Sequence, residues 1–261
     1  MNLHLDGKKA VVTGASMGIG YAVAKELMFE GAEVTICARD EERLKTAVKS
    51  LKEETGREAV TGYALDLSEE KASYELAELA VGESGQLDIW INNVGTNRAR
   101  KGELYTQEEL DYLVGACFGS ALFGCQAAFL HMKENGGSIV NISSLAARAA
   151  TCGRSNIYAS MKAGINALTK TSAGEYASYG IRVNAVMPGY TATPLVKSTF
   201  SGEALQELML NNLTGRMAEP VEIAKPVVFL ASEAASYINA AVLEVSGGQN
   251  VVLNPQYSFR R

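Results

Sequence analysis

Residues 13–20 read TGASMGIG and lie between an apolar run and a segment whose apolar residues repeat at helical spacing. The preceding segment, Lys9 to Thr13, is typical of a buried strand, and the following one, Tyr21 to Leu27, is typical of a helix. A glycine-rich turn at such a junction leaves the unpaired amides of the helix start facing outward, which suits a dianionic phosphate group. The pattern therefore predicts a nucleotide-binding strand–turn–helix unit in an α/β fold.

The glycines of this turn have separate tasks. Gly14 can take backbone angles that a Cβ would forbid, Gly18 leaves room for a pyrophosphate, and Gly20 lets the helix pack closely on the strand. Ser16 and Ile19 belong to the same turn and join it as candidate cofactor contacts. Because any tight connection of this kind favours glycine, the turn needs support from the rest of the chain.

Strand patterns alternate with helical patterns from residue 9 to about residue 246, and no linker, charge block or repeat marks a boundary. We therefore predict a single domain over residues 1–261. Its fold class is α/β, with a doubly wound, Rossmann-like parallel sheet of about seven strands and helices on both faces. Within it, Ser68 ahead of two glutamates is typical of a helix start.

Polar and turn residues follow or close the predicted strands. The carboxyl ends of parallel strands meet at one edge of the sheet, and ligands of such sheets bind outside that edge. We therefore expect one rim to collect Thr13, Arg39, Asp66, Asn92, Asn93, Ser143, Ser144, Pro188 and Gly189.

Composition excludes several other classes of function. The formal net charge of −5 and the absence of a basic block argue against nucleic-acid binding. The first eight residues are polar and no apolar run approaches the roughly 20 residues that a bilayer requires, so we expect a cytoplasmic protein without membrane contact. The four cysteines and two histidines form neither a CxxC motif nor a cluster, so we expect no metal site and reduced thiols.

Short motifs stand in order along nearly the whole chain. They are TGASMGIG at 13–20, Asp66-Leu67, NNVG at 92–95, ISS at 142–144, Tyr158-x-x-x-Lys162, IRVNAVMPG at 181–189, and GRMAEPVEIA followed by SGG. In this order and at these spacings they resemble the short-chain dehydrogenase/reductase family. The resemblance implies an oxidoreductase that transfers hydride between a nicotinamide cofactor and a ketone or secondary alcohol.

Tyr158 and Lys162 are four residues apart on one predicted helix, so their side chains share a face. A neighbouring ammonium and an oxidised nicotinamide would lower the tyrosine pKa from about 10 and make it a suitable acid and base for carbonyl chemistry. The resemblance implies that Ser144 polarises the substrate oxygen and that Lys162 also binds the nicotinamide ribose. A second YxxxK, formed by Tyr21 and Lys25, is interpreted as ordinary helix residues.

One position departs from the family pattern. Members commonly carry an asparagine in the helix between NNVG and ISS, where it supports a water chain to the lysine, and this chain has Cys117 there. A thiol is a weaker donor and acceptor than an amide. Three alternatives stay open: another group or water replaces the amide, turnover is slow, or the chain binds nucleotide with little catalysis.

The second predicted strand ends in Ala38 followed by Arg39, at the position where NAD-binding sheets place a carboxylate on the ribose. The planar guanidinium suits a phosphate, so we predict NADP(H) rather than NAD(H). A solvated loop arginine remains the alternative, and Met17 stands where NADP-preferring relatives often have a second basic residue. By resemblance, the further cofactor contacts are Asp66 and Leu67 at the adenine, Asn93 and Gly95 at the riboses, and Thr191 and Thr193, after Pro188-Gly189, at the carboxamide.

The segment at about 191–214 looks like a lid over the substrate, with Leu195, Val196 and Phe200 suited to a hydrophobic ketone or alcohol. Basic residues near the expected rim raise the hypothesis of an anionic substrate: Arg98, Arg100, Lys101, Arg148 and Arg154. A 3-oxoacyl carrier-protein reductase and a hydroxysteroid or tropinone-like ketone reductase both remain open. The resemblance also implies a homo-oligomer, commonly a tetramer, through helices at about 106–131 and 157–179.

Overall fold

The structure, a computed structural model, describes residues 2–96, 104–149, 156–199 and 202–260. In this part of the chain seven strands form one parallel sheet in the order β3-β2-β1-β4-β5-β6-β7. The order reverses between β1 and β4, which is the switch point where doubly wound sheets bind ligands. The strands are β1 Lys9–Thr13, β2 Glu33–Ala38, β3 Val60–Ala64, β4 Ile89–Asn92, β5 Gly137–Ile142, β6 Ile181–Pro188 and β7 Val242–Val245.

Helices cover both faces of this sheet, which confirms the predicted fold class. They are α1 Gly18–Phe29, α2 Glu41–Thr55, α3 Glu70–Val81, α4 Gln107–Val114, α5 Ser120–Met132, α6 Asn156–Tyr176, α7 Pro194–Thr199, α8 Gly202–Met209 and α9 Pro220–Ala231. Side chains alternate across β1: Ala10 and Val12 join a core with α1 and α9, and Val11 joins a second core with α3 and α5. Strand β1 is therefore buried on both sides of the sheet.

Helices α4 and α5 are continuous through a π-helical turn, Gly115–Gly119. The joined helix, Gln107–Met132, has 26 residues and a window of mean hydropathy 1.7, so by length and composition it could cross a membrane. The expectation that no apolar run approaches such a length was therefore wrong. Since 56% of that window is buried inside the fold, where α5 packs against α3, it serves here as a core helix.

The small residues of this helix pack within the chain. A Cβ at Gly124 would lie 2.8 Å from Nε1 of Trp90 and would overlap the Asn92 carboxamide oxygen. The Trp90 indole donates a 2.7 Å hydrogen bond to that same oxygen. Packing against Trp90 and Asn92 of the same chain therefore requires a glycine at position 124.

The sequence context of Ser68 predicts that it starts helix α3, but in the structure it does not. The helix begins at Glu70, with Glu69 in the capping position and no side-chain cap. The Ser68 amide and hydroxyl both donate to Oδ1 of Asp66, at 3.0 and 2.8 Å. The nearby carboxylate therefore holds Ser68 in a local turn one step ahead of the helix.

Replacing Gly20 by alanine is expected to destabilise the fold. A Cβ there would lie 2.5 Å from Nδ2 of Asn93, 2.6 Å from the Gly14 carbonyl oxygen and 2.9 Å from the Ala15 Cα, so backbone has to move. We expect thermal unfolding of Gly20→Ala to report a loss of about 1–3 kcal/mol. The matched control is Gly174→Ala on α6, where nothing lies within 4 Å of the added carbon, and a gain of up to about 1 kcal/mol is expected. Equal stability of the two variants would contradict this account of the turn.

Candidate active site

A cavity of about 870 Å³ opens at the carboxyl ends of the strands. This volume falls in the range of small-molecule and cofactor sites. The predicted contacts that line it are Gly14, Ser16, Gly18, Ile19, Arg39, Asp66, Leu67, Asn93, Gly95, Ser144, Tyr158, Lys162, Pro188, Gly189, Thr191 and Thr193. Gly20 is not among the lining residues, because it faces the strand and serves helix packing.

The glycine turn has the geometry of an anion cradle. Gly14 and Gly18 both have a φ of 62°, a conformation that strains other residues. A Cβ on Gly18 would lie 3.2 Å from Cγ2 of Thr193, so it would narrow the cavity between the two segments. Met17 precedes α1 and has no side-chain oxygen to cap its amides. The donor set and the space therefore fit a pyrophosphate at the start of α1.

Three polar residues of the predicted rim differ in their placement. Asn93 lines the cavity and its Nδ2 donates to the carbonyls of Thr13 and Gly14, at 3.0 and 2.9 Å. Thr13 and Asn92 are buried and do not line the cavity, which corrects their assignment to the rim. The Thr13 hydroxyl accepts the Asn93 amide at 2.9 Å, so it fixes the end of β4 against the end of β1.

Ser144, Tyr158 and Lys162 converge on one wall of the cavity. The Ser144 and Tyr158 hydroxyl groups are hydrogen-bonded to each other. Lys162 Nζ lies 5.8 Å from the Tyr158 ring centroid and donates to the Ile142 carbonyl at 2.7 Å. Ser143 also borders the cavity, but it is buried and its hydroxyl donates to the Lys162 carbonyl at 3.0 Å, so it anchors helix α6.

Burial shifts the pKa values of Tyr158 and Lys162 in opposite directions. It raises the pKa of Tyr158 to about 12, against the lowering effect of the Ser144 hydrogen bond, and it lowers the pKa of Lys162 to about 8. In the protein alone, desolvation of the phenolate outweighs the stabilisation that it receives, and the lowering of the Tyr158 pKa beside an oxidised nicotinamide stays a prediction. At neutral pH the phenol is protonated and can act as a proton donor.

Cys117 is fully buried in the π-helical turn between α4 and α5. Its thiol donates to the Thr96 carbonyl at 3.1 Å, and the Thr96 amide donates to its sulfur at 3.4 Å. Thr96 follows Gly95, where an added Cβ would lie 3.1 Å from Nζ of Lys162. The thiol therefore ties the helix to the main chain beside Lys162.

At the other end of the cavity, Nη1 of Arg39 donates to the Tyr112 hydroxyl at 2.9 Å and lies 3.7 Å from Oδ2 of Asp66. Tyr112 comes from α4 and lines the cavity, although no motif in the sequence pointed to it. The neighbouring Asp40 carboxylate accepts the Arg43 amide at 2.9 Å and caps α2.

Within the predicted lid at about 191–214, the described residues that line the cavity are Thr191, Thr193, Leu195 and Val196, and no described residue of α8 lines it. Phe200 lies outside the described residues. Arg148 forms a bidentate ion pair with Glu244. Its Nε donates to Oε2 at 2.9 Å and its Nη2 donates to Oε1 at 3.0 Å. This pairing removes Arg148 as a candidate anion ligand. The other basic candidates, Arg98, Arg100, Lys101 and Arg154, also lie outside the described residues.

In the part of the chain that the structure describes, Cys37, Cys117 and Cys125 are free and buried, and no group of three or more histidine, cysteine, aspartate or glutamate residues is placed to hold a metal ion. Cys152 lies outside that part.

Comparison with known proteins gives consistent matches over nearly the whole chain. The family model described as enoyl-(acyl carrier protein) reductase matches residues 14–250. The 3-oxoacyl-[acyl-carrier-protein] reductase of Chlamydia pneumoniae is 33% identical over 250 residues, which are 95% of this chain and 99% of the relative.

Two solved structures with bound ligands share the fold. L-sorbose reductase from Gluconobacter frateurii, complexed with NADPH and L-sorbose, has a TM-score of 0.88 at 30% identity over 97% of this chain and all of that chain. A 7α-hydroxysteroid dehydrogenase complexed with NADH and 7-oxo glycochenodeoxycholic acid has a TM-score of 0.89 at 30% identity, over 97% of this chain and 98% of that one. The two neighbours therefore carry different nicotinamide cofactors.

Proposed function

Because the chain belongs to the short-chain dehydrogenase/reductase family, and is thus an oxidoreductase, we propose that it interconverts a ketone and a secondary alcohol with NADP(H). The observation that carries the proposal is the convergence of Ser144, Tyr158 and Lys162 on the wall of a cavity that begins at a glycine anion cradle. The nicotinamide, when bound, supplies or accepts the hydride. The chain's own groups have to hold the substrate oxygen and move its proton.

Ser144 and Tyr158 are proposed to act on the same substrate oxygen. The Ser144 oxygen accepts the Ala146 amide at 3.2 Å, so its proton can be donated to the carbonyl oxygen as negative charge develops there. Tyr158, with its raised pKa, donates its proton to that oxygen during reduction and takes one back during oxidation. Lys162 is held by the Ile142 carbonyl, and its ammonium is proposed to bind the nicotinamide ribose.

The preference for NADP(H) over NAD(H) rests on two neighbouring side chains. Arg39 presents a guanidinium to the cavity where an NAD site presents a carboxylate. The carboxylate that follows Arg39 in the chain, Asp40, is engaged in capping α2 and in an ion pair with Arg43 at 3.5 Å. The charge offered to the adenosine ribose is therefore positive, which favours a 2′-phosphate.

Reduction of a 3-oxoacyl thioester is the second candidate. It is favoured by the similarity to the chlamydial 3-oxoacyl-[acyl-carrier-protein] reductase over almost the full length of both chains. The apolar lining from Leu145, Ala146, Leu195 and Val196 suits either an acyl chain or a cyclic ketone.

Stopped-flow oxidation of NADPH with an acyl thioester and with a cyclic ketone separates the two candidates. The proposed function predicts turnover of at least one of them, and the relative kcat/KM identifies the substrate class. The remaining alternative, a nucleotide-binding protein with little catalysis, predicts tight NADPH binding without turnover on a broad ketone panel. That result would contradict the proposal.

Cofactor binding is expected to weaken as pH rises through about 8. The Lys162 pKa is lowered to about 8, so the ammonium is present below that pH and lost above it. Because a hydrogen bond from a charged donor is worth about 1 kcal/mol more than a neutral one, the Kd for NADPH should rise about fivefold between pH 7 and 9.5. Fluorescence titration measures this change.

The control for this pH dependence is Lys162→Gln, which has no ammonium to lose. We expect it to bind NADPH more weakly than the parent at pH 7 and with an affinity that does not change up to pH 9.5. If the alkaline weakening persisted in this variant, another group would be responsible and the assignment of Lys162 would be wrong.

We extend the proposal to a cytoplasmic homo-oligomer, as the family resemblance implies. The exposed apolar side chains Leu110 and Leu130 lie on the joined α4–α5 helix and support an interface there. Light scattering of the purified chain should give about four times the chain mass of 27.8 kDa for a tetramer. A mass of one chain would contradict this part of the proposal.

A further inference from the structure

The adenosine end of the cavity contains a contact that the proposed function does not use. The Arg39 guanidinium is held by the Tyr112 hydroxyl at 2.9 Å and lies over the Tyr112 ring, 5.8 Å from its centroid. The two residues are 73 positions apart and come from the loop after β2 and from helix α4. Both line the cavity. The inference drawn from this contact rests on the proposed binding of NADP(H).

Arg39 needs such a contact because little else restrains it. Its side chain is 56% exposed, and an exposed arginine loses rotamer freedom when it binds a ligand. The other charged neighbour, Asp66, has its Oδ2 3.7 Å from Nη1, so it forms an ion pair with the guanidinium without a hydrogen bond. Tyr112 accepts one of the five N–H groups and leaves the other edge of the guanidinium for an anion.

Tyr112 is itself well positioned to hold another group. Helix α4 starts with a capping box, in which Thr106 and Glu109 satisfy each other's backbone amides. Its other end continues into the π-helical turn whose Cys117 is bonded to Thr96. The tyrosine therefore projects from an element that is fixed at both ends.

We propose that Tyr112 is a specificity-determining residue for the cofactor: it positions the Arg39 guanidinium to receive the 2′-phosphate of NADP(H). It acts through Arg39 and has no part in hydride transfer. Its effect is confined to ligands that carry a phosphate on the adenosine 2′ oxygen. NAD(H), which has a hydroxyl there, gains no affinity from the contact between Arg39 and Tyr112.

The test uses fragments of the cofactor, so that it does not depend on turnover. Calorimetric Kd values are measured for adenosine 2′,5′-bisphosphate and for 5′-AMP with the parent chain, Tyr112→Phe, Arg39→Gln and the double variant. We expect Tyr112→Phe to weaken binding of the bisphosphate about five- to tenfold and to leave 5′-AMP unchanged. In the Arg39→Gln background the tyrosine substitution should have no further effect, because the group it positions is gone.

The matched control is Tyr74→Phe. Tyr74 lies on α3 outside the cavity, and its hydroxyl is hydrogen-bonded to Gln126, also at 2.9 Å. Both fragments should bind this variant as they bind the parent, and thermal unfolding of both tyrosine variants shows that each is folded.

Three results would overturn the inference. An unchanged bisphosphate affinity in Tyr112→Phe would show that the hydrogen bond from Arg39 to Tyr112 is unnecessary. An equal loss of affinity for both fragments would show that Tyr112 acts on the adenine. A further loss on adding the tyrosine substitution to Arg39→Gln would show that it acts independently of Arg39. Failure of the parent chain to bind either fragment, or NADPH itself, would instead overturn the proposed function together with the inference.

Discussion

Tyr158→Phe is expected to reduce kcat by about 10²- to 10⁴-fold, the usual contribution of a general acid. The substitution removes only the phenolic oxygen, and the Ser144 hydroxyl keeps its contact with the Ala146 amide. The Lys162 ammonium stays on the Ile142 carbonyl. The cofactor should therefore still bind, with a Kd for NADPH within about threefold of the parent value, and the loss should appear in single-turnover oxidation of NADPH.

Tyr179→Phe serves as the control for this prediction. Tyr179 follows α6, where its ring lies edge-on to Phe129 at 5.0 Å, and it does not line the cavity. We expect parent kinetics from this variant. Retention of more than a tenth of the parent kcat by Tyr158→Phe would remove the phenol from the chemistry.

Arg39→Glu is expected to reverse the cofactor preference. The substitution replaces a guanidinium that faces the cavity by a carboxylate, so it removes a charged hydrogen bond to the 2′-phosphate and adds repulsion. A charged hydrogen bond is worth about 1.5–3 kcal/mol, so the Kd for NADPH should rise on the order of 100-fold. NADH should bind at least as well as before, because a carboxylate accepts ribose hydroxyls. Parallel titrations with the two cofactors measure the ratio.

Arg43→Gln tests whether the position of the charge matters. Arg43 also lines the cavity, but its side chain is paired with Asp40 at 3.5 Å. We expect this variant to weaken NADPH binding by less than about tenfold and to keep the preference over NADH. Equal losses in Arg43→Gln and Arg39→Glu would mean that the general positive charge of this end, and not Arg39, selects the cofactor.

Most of the contacts predicted from the sequence line the cavity, because they are attached to strand ends. Arg39, Asn93 and Ser144 each follow a strand whose apolar run is visible in the sequence. A parallel sheet brings the carboxyl ends of its strands to one edge, so once the sheet was predicted these residues had to lie near one another. The glycine turn was predictable for a similar reason, since its conformation depends on the missing side chains themselves.

Contacts between distant segments could not be predicted in this way. Arg148 is a candidate anion ligand by its place in the sequence, and its pairing with Glu244, 96 residues away, is visible only in the fold. Tyr112 is one of several tyrosines in the sequence, and only the packing of α4 against the β2 loop brings it to Arg39. The direction of the Tyr158 pKa shift depends on the extent of desolvation, which a sequence pattern does not contain.

Deuterium transfer tests the central claim most directly, namely that Tyr158, Ser144 and Lys162 meet the substrate oxygen beside a dinucleotide bound at the glycine turn. NADPH carrying deuterium at the nicotinamide 4 position is incubated with a ketone panel, using each of the two 4-deuterated stereoisomers. We predict deuterium on the carbinol carbon of the product from one stereoisomer, with a rate that falls at least 100-fold in Tyr158→Phe. Saturating NADPH binding without deuterium in any product, or equal transfer by the parent and Tyr158→Phe, would contradict the claim.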